Sequence, residues 1–229
     1  MPNSNIALLV FSLSTEAEVK NKPFFEQRNL ATSLSNKTKK IAKHSGLPII
    51  YFDETKQSGS SFGERFSNAL QNVFESGYDK IITIGNDCPQ LDVRHIRKAE
   101  EALANGNSAI GPTFDGGFYL LGISKDDFDY NSFLHFSWNS NAVYNEVFNS
   151  IATNHDDCLV LQKLRDIDFL YDLEKLSLKD IYDVELYRSI QAIQTAGSGN
   201  YSDNDLTTFK LLQAITFNKG SPFSFSFQF

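Results

Sequence analysis

Two aspartates occupy sequence positions from which carboxylate oxygens could bind a divalent cation. Asp87 lies in the segment Gly-Asn-Asp-Cys-Pro, residues 85–89, directly after a short apolar run. Asp168 closes the triplet Asp-Ile-Asp, residues 166–168, in which an extended backbone places both carboxylates on one face. Carboxylate oxygens are the ligands that Mg²⁺ and Mn²⁺ prefer. The alternatives are a turn in which Asp87 accepts backbone N–H groups and a pair of solvent-exposed aspartates.

A third aspartate, Asp115, precedes Gly116 and Gly117 inside the segment Gly111–Gly122. Because the two glycines have no side chain, the backbone there could approach a ligand closely and direct the carboxylate into a cleft. A hairpin turn of the Asp-Gly-Gly type, without any ligand, explains the same residues.

Two other segments could bind an anion. Residues 57–66 are polar and rich in serine and glycine, and they lead into a helical pattern that contains Arg65. Free N–H groups at a helix N-terminus, with an arginine nearby, suit a phosphate, although a serine cap is the simpler interpretation. Lys20 and Lys22 follow the first apolar run and could contact a diphosphate, or they could be a solvated pair.

The elements that must position these residues alternate between strands and helices. Apolar runs rich in β-branched residues predict strands at Ile6–Phe11, Pro48–Phe52, Lys80–Ile84, Ser108–Gly111, Phe118–Ile123 and Leu159–Leu161. Helical periodicity predicts helices at Phe25–Ser45, Phe62–Ser76, Asp92–Ala104, Asn139–Ala152 and Ser177–Thr195. This alternation indicates a mostly parallel sheet, and ligands of such sheets bind at the carboxyl ends of the strands.

The composition excludes several classes of partner. The chain of 229 residues has 21 basic and 28 acidic residues and a net charge of -7, which excludes a general affinity for nucleic acid or an anionic membrane surface. No apolar run approaches the ~20 residues of a membrane span, and no signal-peptide pattern is present, so we expect a cytoplasmic protein. Cys88 and Cys158 are expected to be reduced thiols.

The composition also divides the chain. We predict one domain over residues 1–195, followed at 196–229 by a linker, a short helix and a phenylalanine-rich tail. Phe223, Phe225, Phe227 and Phe229 alternate with polar residues, as in a strand with one apolar face. We expect this tail to pack on the core or on a second copy of the chain, because an exposed row of phenylalanines invites aggregation.

In order and spacing, these segments resemble a bacterial family of glycosyltransferase-A-like proteins, labelled nucleotide-diphospho-sugar transferases and related to the SpsA-like superfamily. The resemblance covers Ile6 to Ser189. It rests on Val19–Lys22, Gly59–Arg65, Gly85–Pro89, Gly111–Gly122, Trp138–Ser140 and Asp166–Phe169. The chain departs from the family where a Val-Lys-Thr-Arg-Leu loop is replaced by Val-Lys-Asn-Lys-Pro, since lysine cannot form the bidentate fork that arginine makes with phosphate.

The resemblance implies a three-layer α/β/α, Rossmann-like nucleotide-diphospho-sugar transferase fold with a mostly parallel central sheet. It also implies a Mg²⁺ or Mn²⁺ ion held by Asp87 and Asp168. The implied activity is transfer of a sugar from a nucleotide-diphospho-sugar to a small acceptor. Asp115 is our candidate general base for the acceptor hydroxyl. The expected substrate-binding residues are Lys20 and Lys22 for the phosphates, Gly63, Glu64 and Arg65 for the nucleotide, and Gly116, Gly117 and Trp138 for the sugar or acceptor.

Two other functions remain open on the sequence. The same site could serve a nucleotidyltransferase, in which a phosphate attacks a nucleoside triphosphate to form a nucleotide-linked product, although the glycine-rich, arginine-containing first loop of such enzymes is absent. The departures at residues 19–23 are also compatible with a non-catalytic protein that binds a nucleotide or a partner.

Overall fold

A computed structural model of the chain describes residues 5–138, 140–152 and 158–197, and within these ranges the side chains of residues 26–28, 196 and 197 are excepted. The predicted linker and phenylalanine-rich tail lie outside the described residues, apart from residues 196 and 197. The predicted packing of the tail and the boundary at residue 195 therefore stay predictions.

The described residues form one six-stranded sheet. Its strands are β1 (Ile6–Phe11), β2 (Ile49–Phe52), β3 (Lys80–Ile84), β4 (Ser108–Pro112), β5 (Phe118–Ser124) and β6 (Cys158–Val160). Their order across the sheet is β2-β1-β3-β5-β4-β6. All neighbouring pairs are parallel except the two that include β5, so β5 runs against the other five strands. The mostly parallel sheet that the sequence predicts is confirmed.

Helices cover both faces of this sheet. They are α1 (Thr15–Asn21), α2 (Leu30–Ser45), α3 (Phe62–Glu75), α4 (Val93–Ala104), α5 (Tyr130–His135), α6 (Val143–Ile151), α7 (Leu170–Lys175) and α8 (Val184–Gly197). Short 3-10 helices lie at Pro23–Asn29 and Leu178–Asp180. In the described part of the chain, none of these helices has the length and apolar character needed to cross a membrane.

The core follows from the alternation of side chains along the strands. In β1, Ala7, Leu9 and Phe11 pack in one cluster with residues of α3, α5 and α6. Ile6, Leu8 and Val10 face the opposite side, where they pack with residues of α4 and α2. Every residue of β1 is buried, as a strand must be when helices cover both of its faces. The three-layer α/β/α architecture is thereby confirmed.

The helix boundaries differ from the sequence prediction at several points. The expected helix over residues 25–45 begins only at Leu30. The reason is the left-handed backbone of Asn29, with a φ of 53°, which separates α2 from the preceding 3-10 helix. The expected helix over 139–152 begins at Val143, and Asn139 lies outside the described residues. The expected helix over 177–195 begins at Val184.

Helix α1 is the difference that matters most for the site, because the sequence analysis treats residues 19–23 as a loop. Ser14 caps this helix: its side chain accepts a hydrogen bond from the Ala17 N–H, and Glu16 and Glu18 lie in the first turn. A serine followed by acidic residues is favourable at a helix N-terminus, since both compensate its free N–H groups. Glu54 holds this cap in place, since its carboxylate accepts hydrogen bonds from Ser14 N at 2.7 Å and Ser14 Oγ at 2.6 Å.

Candidate functional site

The predicted aspartates converge at the carboxyl edge of the sheet. Asp87 follows β3, Asp115 follows β4, and the segment 166–168 follows β6. These three strands point in the same direction, so their carboxyl ends share one edge. The Ile167 N–H donates to the backbone oxygen of Asp87 at 2.9 Å and joins the last segment to the turn after β3.

Three carboxylates at this edge have the geometry of a cation site. Asp115, Asp166 and Asp168 each offer an oxygen atom, and these oxygens all lie within 4.8 Å of one another. Ile167 is fully buried between the two aspartates that flank it, so the expected alternation persists although the segment is not a strand. The donors are carboxylate oxygens, which fit a divalent cation of the Mg²⁺ or Mn²⁺ class. Asp87 lies outside this group of three.

Asp87 and Asp168 are instead joined by a lysine. Lys22 Nζ lies 2.8 Å from Asp168 Oδ1 and 3.7 Å from Asp87 Oδ2, and it also donates to the backbone oxygen of Ile167 at 2.9 Å. Burial alone would lower the pKa of Lys22, but Asp168 and Asp87 outweigh it and hold the pKa above its ordinary value. The lysine therefore stays charged, and it occupies the place that the family resemblance gives to a metal ion.

Glu18 lies beside this ion pair and is itself buried, with an exposed fraction of 7%. Its Oε2 atom has no hydrogen-bond partner among the described residues, whereas its side chain accepts a hydrogen bond from Asn86. Burial raises the pKa of Glu18 to about 7; Lys22 opposes the rise, and Asp87 adds to it. Lys22 caps the C-terminus of α1 four residues after Glu18, so the two side chains share one face of the helix.

The same edge perturbs two of the aspartates. Burial raises the pKa of Asp166 well above its usual range, and the neighbouring carboxylates of Asp168 and Asp115 raise it further. Burial also raises the pKa of Asp87, while Lys22 opposes that change. The site consequently carries more carboxylates than it has cations among the described residues, and a bound cation would favour their ionised forms.

The backbone positions Asp168 and Asp115 precisely. The Asp172 carboxylate accepts the N–H of Asp168 at 3.2 Å and that of Phe169 at 2.9 Å, at the start of α7. Asp115 Oδ1 accepts hydrogen bonds from the Thr113 hydroxyl and from the Gly117 N–H. Asp115 is therefore part of a tight turn and also a member of the acidic cluster, so the two interpretations of its sequence are compatible.

The adjacent glycine explains why this turn has no side chain at its tightest point. Gly116 has a φ of +96°, and a Cβ atom there would lie 2.5 Å from the backbone oxygen of Asn141. Both the left-handed backbone and the close contact exclude a larger residue. At Gly117 a Cβ atom would approach Thr113 Oγ1 to 3.0 Å.

The start of α3 has a structural role in this structure. Ser61 and Glu64 form a capping box, in which the Glu64 carboxylate accepts hydrogen bonds from the N–H groups of Ser60 at 2.6 Å and Ser61 at 3.4 Å. The predicted serine cap is thus present, and the Glu64 carboxylate is used within the helix start. Burial lowers the pKa of the adjacent Arg65, which is half-buried.

Gly63 and Trp138 pack against each other. A Cβ atom at Gly63 would lie 2.7 Å from Cδ1 and Nε1 of the indole. Trp138 is 7% exposed, donates from Nε1 to the Phe133 backbone oxygen at 2.7 Å, and lies among phenylalanines that include Phe62 and Phe66. It contributes to the apolar core on the α3 side, so its expected contact with a sugar has no support in this geometry.

The structure therefore brings together some of the predicted residues and separates others. Asp87, Asp115, Asp168 and Lys22 converge at one edge of the sheet. Lys20 is exposed on α1, two residues from Lys22, and so projects from another side of the helix.

Neither Glu18 as a site residue nor a separate role for Asp166 is predicted from the sequence. The four-residue spacing of Glu18 and Lys22 is a detectable signal, but it has meaning only if residues 15–21 are recognised as a helix. Asp166 is adjacent to the recognised Asp168 motif, and its convergence with Asp115 depends on the tertiary fold.

Comparison with one solved structure supports this fold. A structure from Desulfovibrio desulfuricans G20, provisionally assigned as a nucleotide-diphospho-sugar transferase, is similar with a TM-score of 0.61 and 22% identity, and it covers 84% of this chain and 98% of that one. A mycobacterial homologue of Rv0371c, from Mycobacterium sp. strain JC1, is more distant, with a TM-score of 0.44, 12% identity and coverage of 83% and 98%. A glycosyltransferase involved in glycosylation of the major capsid of PBCV-1 has a TM-score of 0.42 and 14% identity, with coverage of 69% and 81%. No curated protein matches the chain.

Part of the chain also matches the sequence model of a protein family. Residues 28–140 match the sequence model of a family described as "Uncharacterized protein conserved in bacteria (DUF2064)". The matched range includes Asp87, Asp115 and the turn that carries Gly116 and Gly117. Residues 28–140 are thus similar to this bacterial family, and the described residues have the fold of the nucleotide-diphospho-sugar transferases.

Proposed function

We propose that the chain is a metal-dependent transferase that uses a nucleotide-diphospho-sugar donor and glycosylates a small acceptor. The observation that carries this proposal is the convergence of Asp115, Asp166 and Asp168 within 4.8 Å at the carboxyl edge of a sheet with this fold. Ligands of such folds bind at this edge. The similar structure from Desulfovibrio desulfuricans G20 supports the class of donor.

Asp168 is the central ligand of the proposed cation site, because it lies both in the acidic cluster and beside Asp87 and Lys22. A bound Mg²⁺ or Mn²⁺ supplies positive charge to the diphosphate that leaves the sugar. Lys22 adds a fixed positive charge at the same edge. The negative potential of the cleft disfavours a bare diphosphate and favours one that arrives with its own divalent cation.

Asp115 is the proposed general base. During transfer, an acceptor oxygen forms a bond to the anomeric carbon, the bond from that carbon to the diphosphate oxygen breaks, and the acceptor proton passes to the Asp115 carboxylate. The Gly117 N–H and the Thr113 hydroxyl orient this carboxylate through its Oδ1 atom. The turn at Gly116 and Gly117 is the proposed place where the sugar or acceptor approaches the backbone, and Gly63 to Arg65 are proposed to border the nucleotide.

The proposal is tested by calorimetric titration of the full chain with UDP-, GDP- and CDP-sugars, with and without Mn²⁺. One nucleotide sugar is expected to bind only when Mn²⁺ is present, and Asp168→Asn should lower its affinity at least about tenfold because a ligand of the cation is lost. Asp126→Asn is the matched control, because Asp126 is exposed and follows β5, whose carboxyl end lies at the opposite edge of the sheet.

A second arm tests the role of Asp115. For Asp115→Asn we expect retained nucleotide-sugar binding and lost turnover. Loss of Mn²⁺ binding in this variant would instead make Asp115 a ligand. Absence of binding to every nucleotide sugar in the presence of Mn²⁺ would contradict the transferase proposal, and product formation from a nucleoside triphosphate and a sugar phosphate would favour a nucleotidyltransferase.

A further inference from the structure

The space between Asp87 and Asp168 contains the ammonium group of Lys22. Its nitrogen lies 2.8 Å from one carboxylate oxygen and 3.7 Å from the other. The side chains of Lys22 and Asp168 are each 17% exposed, so this pair is largely shielded from water. An ion pair in such surroundings is screened much less than one at the surface.

We propose that Lys22 is a built-in cation that permanently occupies the place between Asp87 and Asp168, so that a divalent cation binds on Asp168 from the side of Asp166 and Asp87 does not coordinate it. This inference rests on the metal dependence of the proposed function. It assigns the ligands within that site and gives Lys22 a role in setting the affinity for metal.

Several contacts hold Lys22 in place. Besides the two carboxylates, its ammonium donates to the Ile167 backbone oxygen at 2.9 Å and lies 5.2 Å from the centre of the Phe25 ring. The residue ends α1, where its N–H donates to the Glu18 backbone oxygen. A metal ion between Asp87 and Asp168 would have to displace the lysine from all of these partners, and a buried ammonium without partners is costly.

The arrangement still leaves an excess of negative charge around Asp168. Asp166 offers a carboxylate oxygen within 4.8 Å of one of Asp168, and the ion pairs of the described residues do not include Asp166. The buried Glu18 Oε2 also lacks a hydrogen-bond partner among the described residues. One lysine therefore does not neutralise the carboxylates, and a divalent cation shared by Asp166 and Asp168 offsets the remainder.

Lys22 also repels that cation. A single positive charge a few Å from a divalent ion opposes binding by more than a tenfold factor at the effective dielectric constant of a partly buried site. Removing the charge should thus strengthen metal binding and open the position beside Asp87. The effects of the Lys22 and Asp87 substitutions on the affinity for the metal ion must then be non-additive.

The test is titration of the full chain with Mn²⁺ alone, followed by electron paramagnetic resonance of the free ion, for the wild type, Lys22→Met, Asp87→Asn and the double variant. Lys22→Met is expected to bind Mn²⁺ at least about tenfold more tightly than the wild type. Asp87→Asn should weaken binding by less than about fivefold in the wild type, but by more than about tenfold in the Lys22→Met background. Asp166→Asn should abolish binding in the wild type.

Two control variants distinguish the effect of the Lys22 charge on Mn²⁺ affinity from an effect on folding. Lys20→Met removes a lysine from the same helix at an exposed position and should leave the Mn²⁺ affinity within about twofold of the wild type. Lys22→Arg keeps the charge and should also retain the low affinity, so it stays informative if Lys22→Met unfolds. Thermal melting of each variant shows whether it is folded under the conditions of the titration.

Loss of Mn²⁺ binding in Asp87→Asn, with Lys22 intact, would overturn the inference because Asp87 would then be a ligand. An unchanged affinity in folded Lys22→Met would overturn it as well. If the wild type binds no Mn²⁺ but Lys22→Met does, Lys22 excludes the cation altogether, and both the inferred site on Asp166 and Asp168 and the metal dependence of the proposed function fail. If neither protein binds Mn²⁺, both fail.

Discussion

Replacement of Glu18 by glutamine should make the protein more stable, and increasingly so as the pH rises. Glutamine has the shape of the protonated glutamate but cannot ionise. In the native structure the carboxylate is 7% exposed, has an Oε2 atom without a hydrogen-bond partner among the described residues, and lies near Asp87 and Asp168. Ionisation of Glu18 therefore opposes folding.

The magnitude follows from its pKa, which burial raises from an ordinary 4.5 to about 7. Between these two values the folded chain retains a proton that the unfolded chain has released, so the free energy of unfolding falls as the pH rises through this window. One pH unit corresponds to about 1.4 kcal/mol, which limits the total effect to about 3 kcal/mol. Between pH 5 and pH 8 the advantage of Glu18→Gln over the wild type should grow by about 2.5 kcal/mol.

Urea unfolding at pH 5, 6, 7 and 8, in the presence of a chelator, measures this quantity. The pH-dependent difference is informative because any constant cost of burying the amide group cancels. Glu16→Gln is the matched control: Glu16 lies in the same helix but is exposed, so its substitution should give a difference that does not change with pH. A difference between Glu18→Gln and the wild type that is equal at all four pH values would refute the reasoning.

Two further substitutions test other buried contacts. Lys37 is 5% exposed, donates to the Cys88 backbone oxygen at 2.9 Å, and has a pKa that burial lowers from 10.5 to about 8. Because burial disfavours the charged form, Lys37 lowers the free energy of unfolding most at pH values below 8. The gain in the free energy of unfolding from Lys37→Met, measured with urea, should therefore shrink by about 2 kcal/mol between pH 8 and pH 10. A gain that grows with pH would contradict this sign. Gly63→Ala should lower the free energy of unfolding by about 1–3 kcal/mol, because the added methyl group overlaps the Trp138 indole. The fluorescence of Trp138, the one tryptophan of the chain, should change with it, and an unchanged spectrum with unchanged stability would show that the helix has room to move.

Most of the sheet was predictable because buried parallel strands appear in the sequence as short, continuous apolar runs. The bounds of β1 and β3 agree with the prediction at both ends, and those of the other strands agree to within one residue. The order of the strands, with β5 placed antiparallel between β3 and β4, is a property of long-range pairing that periodicity does not encode.

The short helices were harder to predict. Helix α1 has seven residues and α5 has six, too few for two turns of apolar periodicity to be recognised. Its cap at Ser14 and its contact with Glu54 stabilise α1, and neither is visible as a pattern of hydrophobic residues. Without α1, the sequence predicts that Lys22 faces a diphosphate, and it gives no signal for the pairing of Lys22 with Asp168.

The convergence of the aspartates at the sheet edge, in contrast, was predictable from the sequence. Their positions after predicted strands were sufficient to predict that Asp87, Asp115 and Asp168 would converge, because strand direction alone determines the edge. Which of them share a cation depends on distances of a few Å between loops, and those distances depend on the hydrogen bonds of Thr113, Gly117 and Asp172.

The contact between Lys22 and Asp168 also has a consequence for the order in which the chain folds. These residues are 146 positions apart, and each is attached to an element that has no place until the central strands have paired. Contacts of such long separation pay the largest loop-closure entropy and form late. During synthesis, β1 to β5 can emerge and pair before Asp168 has been added. The nascent domain would then carry its sheet together with an unneutralised Lys22, and the complete ionic centre would appear only when the last third of the chain docks.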